Sequence, residues 1–287
     1  MKNNIENGKL YLVTGGTGFL GPVIIKRILD GGGKVRTIAR DEGKLIELKQ
    51  KFPEVEILTG DIADQFDVRQ SLQGVDGVFH AAAFKHVGMA ELQTRECVRS
   101  NLIGSLNILE QTANLELDFV VLISTDKAAT PTGVYGSTKF LMERLTKQFE
   151  NLYPNTIYRV VRYGNVLYST GSVLCLWKEK IKRGEEIIVT DLEATRFFWS
   201  VNEAVDLIFK CMDIAENAEP YVVNMKSMSI GNLLTAMADK YLPEGMELKT
   251  KIIGLQQGEN KHEKIFADGE DSSESEKFTI EEIKNLI

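Results

Sequence analysis

Short apolar runs alternate with longer amphipathic stretches through the first 163 residues, and that rhythm leaves few folds open. Strand-like runs fall at 10–14, 35–39, 55–58, 77–82, 119–124 and 157–162. Helix-like stretches at 19–30, 41–51, 65–72, 90–113 and 135–151 separate them. Strand followed by helix, repeated, predicts a parallel sheet. Strands buried on both faces read as nearly continuous apolar sequence, as Phe119-Val120-Val121-Leu122-Ile123 does. Right-handed crossovers then give an α/β fold with a doubly wound parallel sheet. After residue 163 the rhythm becomes irregular, with Gly164, Gly171 and Gly184 between shorter segments, until helix-like 201–215 and strand-like 221–224 resume it.

Composition narrows the class. A chain of 287 residues, 43% hydrophobic and 26% charged, can bury a larger core than one small domain needs. Cys97, Cys175 and Cys211 are odd in number and widely spaced, which reads as reduced thiols in a cytoplasmic compartment and speaks against a metal site. The start through Gly8 is polar and no apolar run reaches membrane-spanning length, so no membrane partner is expected. A net charge of -7 would repel nucleic-acid backbones at long range. The acidic run 268–277 reads as a solvated, mobile linker, and 278–287 as a short docking helix.

Thr14-Gly15-Gly16-Thr17-Gly18-Phe19-Leu20-Gly21 lies between the first strand and the first helix, the context a dinucleotide-binding loop requires. Gly15 permits the tight turn, Gly18 lets backbone approach a pyrophosphate, and Gly21 lets the helix pack close to the sheet. The helix N-terminus offers N–H groups and a positive dipole end to phosphates. At the end of the second strand, Arg40 with Lys44 favours NADP, while Asp41 keeps NAD open as the second choice. Asp61 and Ile62 are placed to meet the adenine. Ala81, Ala82 and Ala83 leave room for a cofactor, although plain close packing explains three alanines nearly as well. Asn101 completes the expected cofactor set, with Lys85 facing the site and His86 as readily a packing residue. The expected division is a dinucleotide-binding part, 1–163 joined by 201–224, and a substrate-binding part made of 164–200 and 225–287.

Tyr135 and Lys139 stand four apart at a helix start, so both face one way. Free tyrosine, with a pKa near roughly 10, is a poor base unless cations favour the phenolate. The pattern also arises by chance as a core tyrosine with a surface lysine. Behind the glycine motif and Ser124-Thr125 it reads as a hydroxyl-proton acceptor beside nicotinamide. Asp126-Lys127 is less common. An ordinary dehydrogenase has no use for an added acid and amine, and such a pair suits elimination. The plain alternative is a solvated ion pair worth little.

Ala81-Ala-Ala-Phe-Lys-His-Val87, Ser124-Thr-Asp-Lys-Ala128 with Tyr135-Gly-Ser-Thr-Lys139, Val161-Arg-Tyr-Gly-Asn-Val166, Gly171-Ser-Val173, Thr195-Arg-Phe197 and Gly258-Glu259 with His262-Glu263 carry a resemblance. From about residue 9 to about 268 the chain resembles the polysaccharide-biosynthesis branch of the extended short-chain dehydrogenase/reductases, which have a Rossmann fold. Within it the chain is most similar to the inverting UDP-N-acetylglucosamine 4,6-dehydratases. The longer, membrane-attached members, which retain configuration at carbon 5, carry methionine at the position of Tyr135.

The resemblance implies that Tyr135, supported by Lys139, takes the 4-hydroxyl proton while hydride leaves carbon 4. Lys127 as a free amine then takes the carbon-5 proton, and Asp126 in its acid form protonates the departing 6-hydroxyl. That chemistry expects a depressed Lys127 and a protonated Asp126, two demands that their mutual attraction opposes. The resemblance places Asn165 and Arg196 near a sugar diphosphate, Glu259 near the uridine ribose, and Lys85 and Thr125 beside the substrate. It also implies a homo-oligomer, dimer or hexamer. Thr170, where relatives usually have arginine, and Leu192-Glu193-Ala194 before Arg196 are departures that bear on the sugar. A nucleotide-sugar 4-epimerase, which needs only Tyr135 and Lys139, and a non-catalytic NADP-binding module remain the other readings.

Overall fold

The computed structural model describes residues 5–287. Six strands come first: β1 (Leu10–Thr14), β2 (Lys34–Ala39), β3 (Glu56–Thr59), β4 (Gly77–His80), β5 (Phe119–Thr125) and β6 (Ile157–Tyr163). The chain then leaves the sheet through β7 (Asn165–Val166), β8 (Ile187–Val189) and β9 (Thr195–Trp199) before β10 (Pro220–Tyr221) rejoins it. The sheet order is β3-β2-β1-β4-β5-β6-β10, parallel throughout. Strand order reverses between β1 and β4, the switch point at which open α/β sheets form a crevice. Last come β11 (Ser227–Ser229), antiparallel to β9, and β12 (Thr250–Ile252), parallel to β8.

Side-chain alternation along the strands feeds two cores. Tyr11, Val13, Phe79, Val121 and Ile123 face α1 (Gly21–Asp30) and a later helix, whereas Leu12, Val78, Val120 and Leu122 face the opposite layer. Within α1, Ile24, Ile25 and Ile28 turn inward while Lys26 stays out, and Pro22 sits in the first turn where its missing N–H costs nothing. Next in order are α2 (Glu42–Lys51), α3 (Gln65–Ser71), α4 (Val87–Leu92), α5 (Thr94–Val98), α6 (Gly104–Thr112) and α7 (Val134–Leu152). After them come α8 (Val173–Lys182), α9 (Val201–Ile214), α10 (Ile230–Tyr241) and α11 (Ile280–Leu286). The later helix on the first face is α9, through Val205 and Ile208; α3, α6 and α7 cover the other. A third core joins Leu174, Trp177, Ile187, Phe198, Leu233, Met237 and Ile283 from α8, β8, β9, α10 and α11.

The structure departs from the sequence reading in four places. The stretch 90–113 is not one helix: it breaks at Gln93 and passes through a π-helical turn at Arg99–Ile103 before α6. The strand read at 77–82 stops at His80, and that at 221–224 shrinks to Pro220–Tyr221. The acidic run 268–277 is seated rather than free. Ser272 is fully buried, bonded to Thr195 and to the Glu263 N–H, and Lys277 bridges to Ser227. Its charges face outward while one serine anchors it, a distinction that composition cannot carry. The helix expected at 278–287 forms as α11, opened by a Thr279–Glu282 capping box.

Candidate active site

A cavity of about 1130 Å³ opens where β1, β2, β4, β5 and β6 end, and the irregular segments after β6 roof it. Gly15, Thr17, Gly18, Phe19 and Leu20 form one wall with the start of α1. A Cβ on Gly15, at φ +70°, would lie 2.7 Å from the Ala82 nitrogen; one on Gly18 would lie 3.0 Å from the Gly15 carbonyl oxygen. Backbone thus occupies the space that side chains would take, leaving a smooth cradle at a helix N-terminus. Arg40 and Lys44 stand exposed at the same wall. Asp41 is committed to α2, accepting from the Lys44 N–H at 3.1 Å as its N-cap. Asp61, Ile62 and Ala81 to Ala83 complete this end, with Asp61 paired to Arg99 at 2.9 Å.

Two residues of the expected cofactor set do not reach the cavity. Thr14 is buried and its hydroxyl meets His80 Nδ1 at 2.7 Å and the Ala82 N–H at 3.2 Å. Asn101 is buried in the π-helical turn and clamps both backbone groups of Phe84, at 2.7 and 2.9 Å, while also donating to Thr138. Both tie elements together behind the wall. Lys85, Thr125, Asn165, Arg196 and Glu259 all line the cavity. Arg196 is less free than a phosphate clamp would be, since its Nη1 donates to the Thr195 and Lys261 carbonyls at 2.8 and 3.0 Å.

At the centre stand Tyr135, Lys139 and Lys127. Burial pushes the Tyr135 phenol up to about 12; the Lys127 ammonium and the Thr125 hydroxyl oppose the rise. The strongest cation acting on the phenol is therefore Lys127, not the expected Lys139. Lys139 donates to the Ile123 carbonyl at 2.7 Å, and burial draws its ammonium down to about 8 against the pull of Glu143.

Lys127 reverses its expectation. Burial pulls its pKa down, but the carboxylates of Asp126 and Glu263, at 3.1 and 3.5 Å, outweigh that and hold the ammonium above its ordinary range. Asp126 also departs: its side chain has 0% exposure and is not on the cavity wall. Two groups that sequence reasoning did not single out do lie there. Glu263, 1% exposed, arrives from a loop far along the chain, where no periodicity marks it; only its place in the His262-Glu263 pair hinted at a role. Tyr163 ends β6 with its hydroxyl buried and without a hydrogen-bond partner.

A model of the family described as polysaccharide biosynthesis protein matches residues 11–285. The chain belongs to that family. A Methanocaldococcus jannaschii protein called an uncharacterized membrane protein is 38% identical over 99% of this chain and 86% of its own length. The inverting UDP-N-acetylglucosamine 4,6-dehydratase of Campylobacter jejuni is 34% identical over 93% of this chain and 79% of its own. The UDP-glucose 4-epimerase of Rickettsia canadensis is 32% identical over 93% of this chain and 80% of its own. Among solved structures, Pen from Bacillus thuringiensis superposes with a TM-score of 0.93 at 29% identity, covering 100% of this chain and 98% of that one. The dTDP-glucose 4,6-dehydratase DesIV of Streptomyces venezuelae, with NAD and TYD bound, shares the fold. Its TM-score is 0.79 at 18% identity over 96% of this chain and 95% of its own. This is the Rossmann fold of the extended short-chain dehydrogenase/reductases. Among the described residues no helix is long and apolar enough to cross a membrane.

Proposed function

We propose that the protein is a nucleotide-sugar 4,6-dehydratase acting on UDP-N-acetylglucosamine, with inversion at carbon 5 and with NADP as its cofactor. The observation that carries this reading is Lys127, a lysine on the cavity wall held between two buried carboxylates beside Tyr135. Epimerisation at carbon 4 needs a hydroxyl-proton acceptor and no such group. The relatives named as inverting dehydratases support the same substrate.

The side chains present fit a dinucleotide. A Cβ on Gly15 would meet the Ala82 nitrogen at 2.7 Å, so backbone alone fits there, and Tyr163, whose buried hydroxyl has no hydrogen-bond partner, lines the same cavity. Arg40 and Lys44 suit a 2′-phosphate, and Asp41, occupied as a cap, is poorly free to take a ribose hydroxyl. A nicotinamide bound there would store one hydride, taken from carbon 4 and given back at carbon 6. Tyr135 takes the 4-hydroxyl proton; its phenol, held near 12 by burial, needs nearby positive charge to do so at neutral pH. A 4-ketone acidifies the carbon-5 hydrogen. Lys127 removes it once its ammonium has passed a proton to a neighbouring carboxylate, and the departing 6-oxygen takes a proton from the same carboxylate pair.

Incubation with UDP-N-acetylglucosamine in heavy water tests the reading. The expected product has lost water and carries one deuterium at carbon 5, and Lys127→Ala is expected to slow its formation by about 10²-fold or more. An isobaric 4-epimer would favour the second reading, UDP-sugar 4-epimerase, which the Rickettsia relatives and the Tyr135–Lys139 pair support. An unchanged sugar would leave a binding module.

A further inference from the structure

The helix that carries Tyr135 has no side-chain cap of its own. Its N-cap residue is Gly133, which has no side chain to offer, and its first turn holds no acidic residue. The acceptor comes instead from α4: Glu91 Oε1 accepts from the Val134 N–H at 2.6 Å, one residue before the tyrosine. Three segments meet there. A Cβ on Gly133 would lie 2.6 Å from both Glu91 Oε1 and the Gly258 Cα; one on Gly258, at φ +82°, would lie 2.7 Å from Glu91 Oε1. Only backbone fits between the carboxylate, the helix start and the turn after β12. That turn is closed by the Gln256 N–H on Glu259 Oε2 and the Glu259 N–H on the Gln256 carbonyl, both at 3.1 Å, with Gly258 between the two residues in sequence. One residue after the tyrosine, a Cβ on Gly136 would run into the Lys127 carbonyl oxygen, so the first turn of α7 is closely approached from there as well. Glu91 itself is not on the cavity wall, whereas Tyr135, Gln256 and Glu259 are.

We propose that Glu91 is a positioning residue for Tyr135: backed by the Gly258 turn, its carboxylate fixes the first turn of α7 and with it the tyrosine. The assignment rests on Tyr135 taking the 4-hydroxyl proton, a step that the dehydratase and the epimerase readings share. What Glu91 supplies is an oxygen for the Val134 N–H rather than a charge for the phenol. Burial, the Lys127 ammonium and the Thr125 hydroxyl are the influences that act most on that phenol. A proton acceptor displaced by a fraction of its hydrogen-bond length slows the transfer without weakening the hold on the rest of the sugar nucleotide. The loss of Glu91 therefore belongs in kcat and not in KM.

The experiment follows conversion of UDP-N-acetylglucosamine, and amide hydrogen exchange at 134–137 without substrate, in wild type, Glu91→Ala, Glu91→Gln and Gly258→Ala. Glu91→Ala is expected to lower kcat about 10-fold or more with KM within about 3-fold of wild type. Glu91→Gln keeps an amide oxygen for the Val134 N–H and is expected to stay within about 3-fold of wild-type kcat, with an unmoved pH–rate profile. Gly258→Ala brings a Cβ onto Glu91 Oε1 and is expected to lower kcat as Glu91→Ala does. The two together should lose no more than the larger single loss, because both act through one contact. Exchange at 134–137 should quicken in Glu91→Ala and not in Glu91→Gln. If Glu91→Ala melts below the assay temperature, Glu91→Asp, one methylene short of the N–H, replaces it with the same expectation. Three results overturn the assignment: wild-type kcat in Glu91→Ala, a loss in Glu91→Gln as large as in Glu91→Ala, or losses that multiply when Glu91→Ala and Gly258→Ala are combined. Wild-type protein that converts no UDP-hexose overturns the proposed function instead. Exchange alone then decides whether Glu91 fixes the turn that carries Tyr135: quickening in Glu91→Ala but not Glu91→Gln upholds it, and equal exchange in both overturns it.

Discussion

Lys139 shows how much one buried charge governs. Only 2% exposed, its ammonium has the Ile123 carbonyl as its close oxygen partner, and burial brings its pKa to about 8 from 10.5. A lysine depressed in the folded state weakens the fold wherever it must be charged. That cost is fully present below about pH 8 and fades as pH rises toward 10.5, because there the unfolded chain binds a proton that the native state does not. The shift corresponds to a cost on the order of 3 kcal/mol at neutral pH. Lys139→Met should therefore flatten the pH dependence: between pH 8 and 10, wild-type melting temperature should climb relative to the variant. Parallel melting curves over that window would refute the buried-charge account. The Tyr135–Lys139 spacing was legible in the sequence because helical periodicity puts both on one face. Glu263 was not, because its approach to Lys127 is made by tertiary folding and leaves no local pattern.

At the scale of elements, the glycines divide into those that fit contacts and those that merely tolerate freedom. A Cβ on Gly21 would lie 2.1 Å from the Gly16 carbonyl oxygen, so α1 can approach the loop after β1 only without one. Gly21→Ala should push the helix outward, lower stability by about 1–3 kcal/mol and weaken dinucleotide affinity together. Gly43, in the exposed first turn of α2, meets only Asp41 Oδ1 at 3.4 Å, and Gly43→Ala should be neutral or stabilising by up to about 1 kcal/mol. Thermal melts with a cofactor titration check both; equal effects would mean the close approach is relaxed at no cost. The strands and α1, α2 and α7 were readable because burial on one or two faces writes itself into apolar spacing. The break of 90–113 was not. Asn101 clamps Phe84 across the fold while Ser105 donates locally to the Asn101 carbonyl at 2.5 Å, and these bonds accompany a π turn whose sequence is as helical as its neighbours.

For the whole molecule, the decisive link runs between the sheet and the late loop that brings Glu263 to the site. Ser124 donates to Glu143 Oε1 at 2.5 Å; Arg162 pairs with Glu143 at 2.6 Å and donates from Nη1 to the Ile265 carbonyl at 2.7 Å. All four lie inside, so β5, α7, β6 and the segment after Glu263 meet at one buried ion pair. Ser272 closes the other side of that segment by accepting from the Glu263 N–H and donating to the Thr195 carbonyl. Removing one partner of a buried pair leaves an uncompensated charge, typically a loss of about 3–5 kcal/mol, whereas removing both with apolar replacements costs far less. Arg162→Met should therefore lower stability by that order. Hydrogen exchange should accelerate first in residues 263–278, which lose their tie to the sheet, and only later in β5. Arg162→Met combined with Glu143→Leu should recover most of the stability without restoring the Ile265 contact, so the loop should stay fast-exchanging in a fold that again melts high. If the double variant also restores slow exchange at 263–278, the Arg162–Ile265 bond does not hold the loop. The placement of Glu263 would then depend on the ties made through Ser272 and Ser227, and Ser272→Ala would be the substitution that tests the first of them.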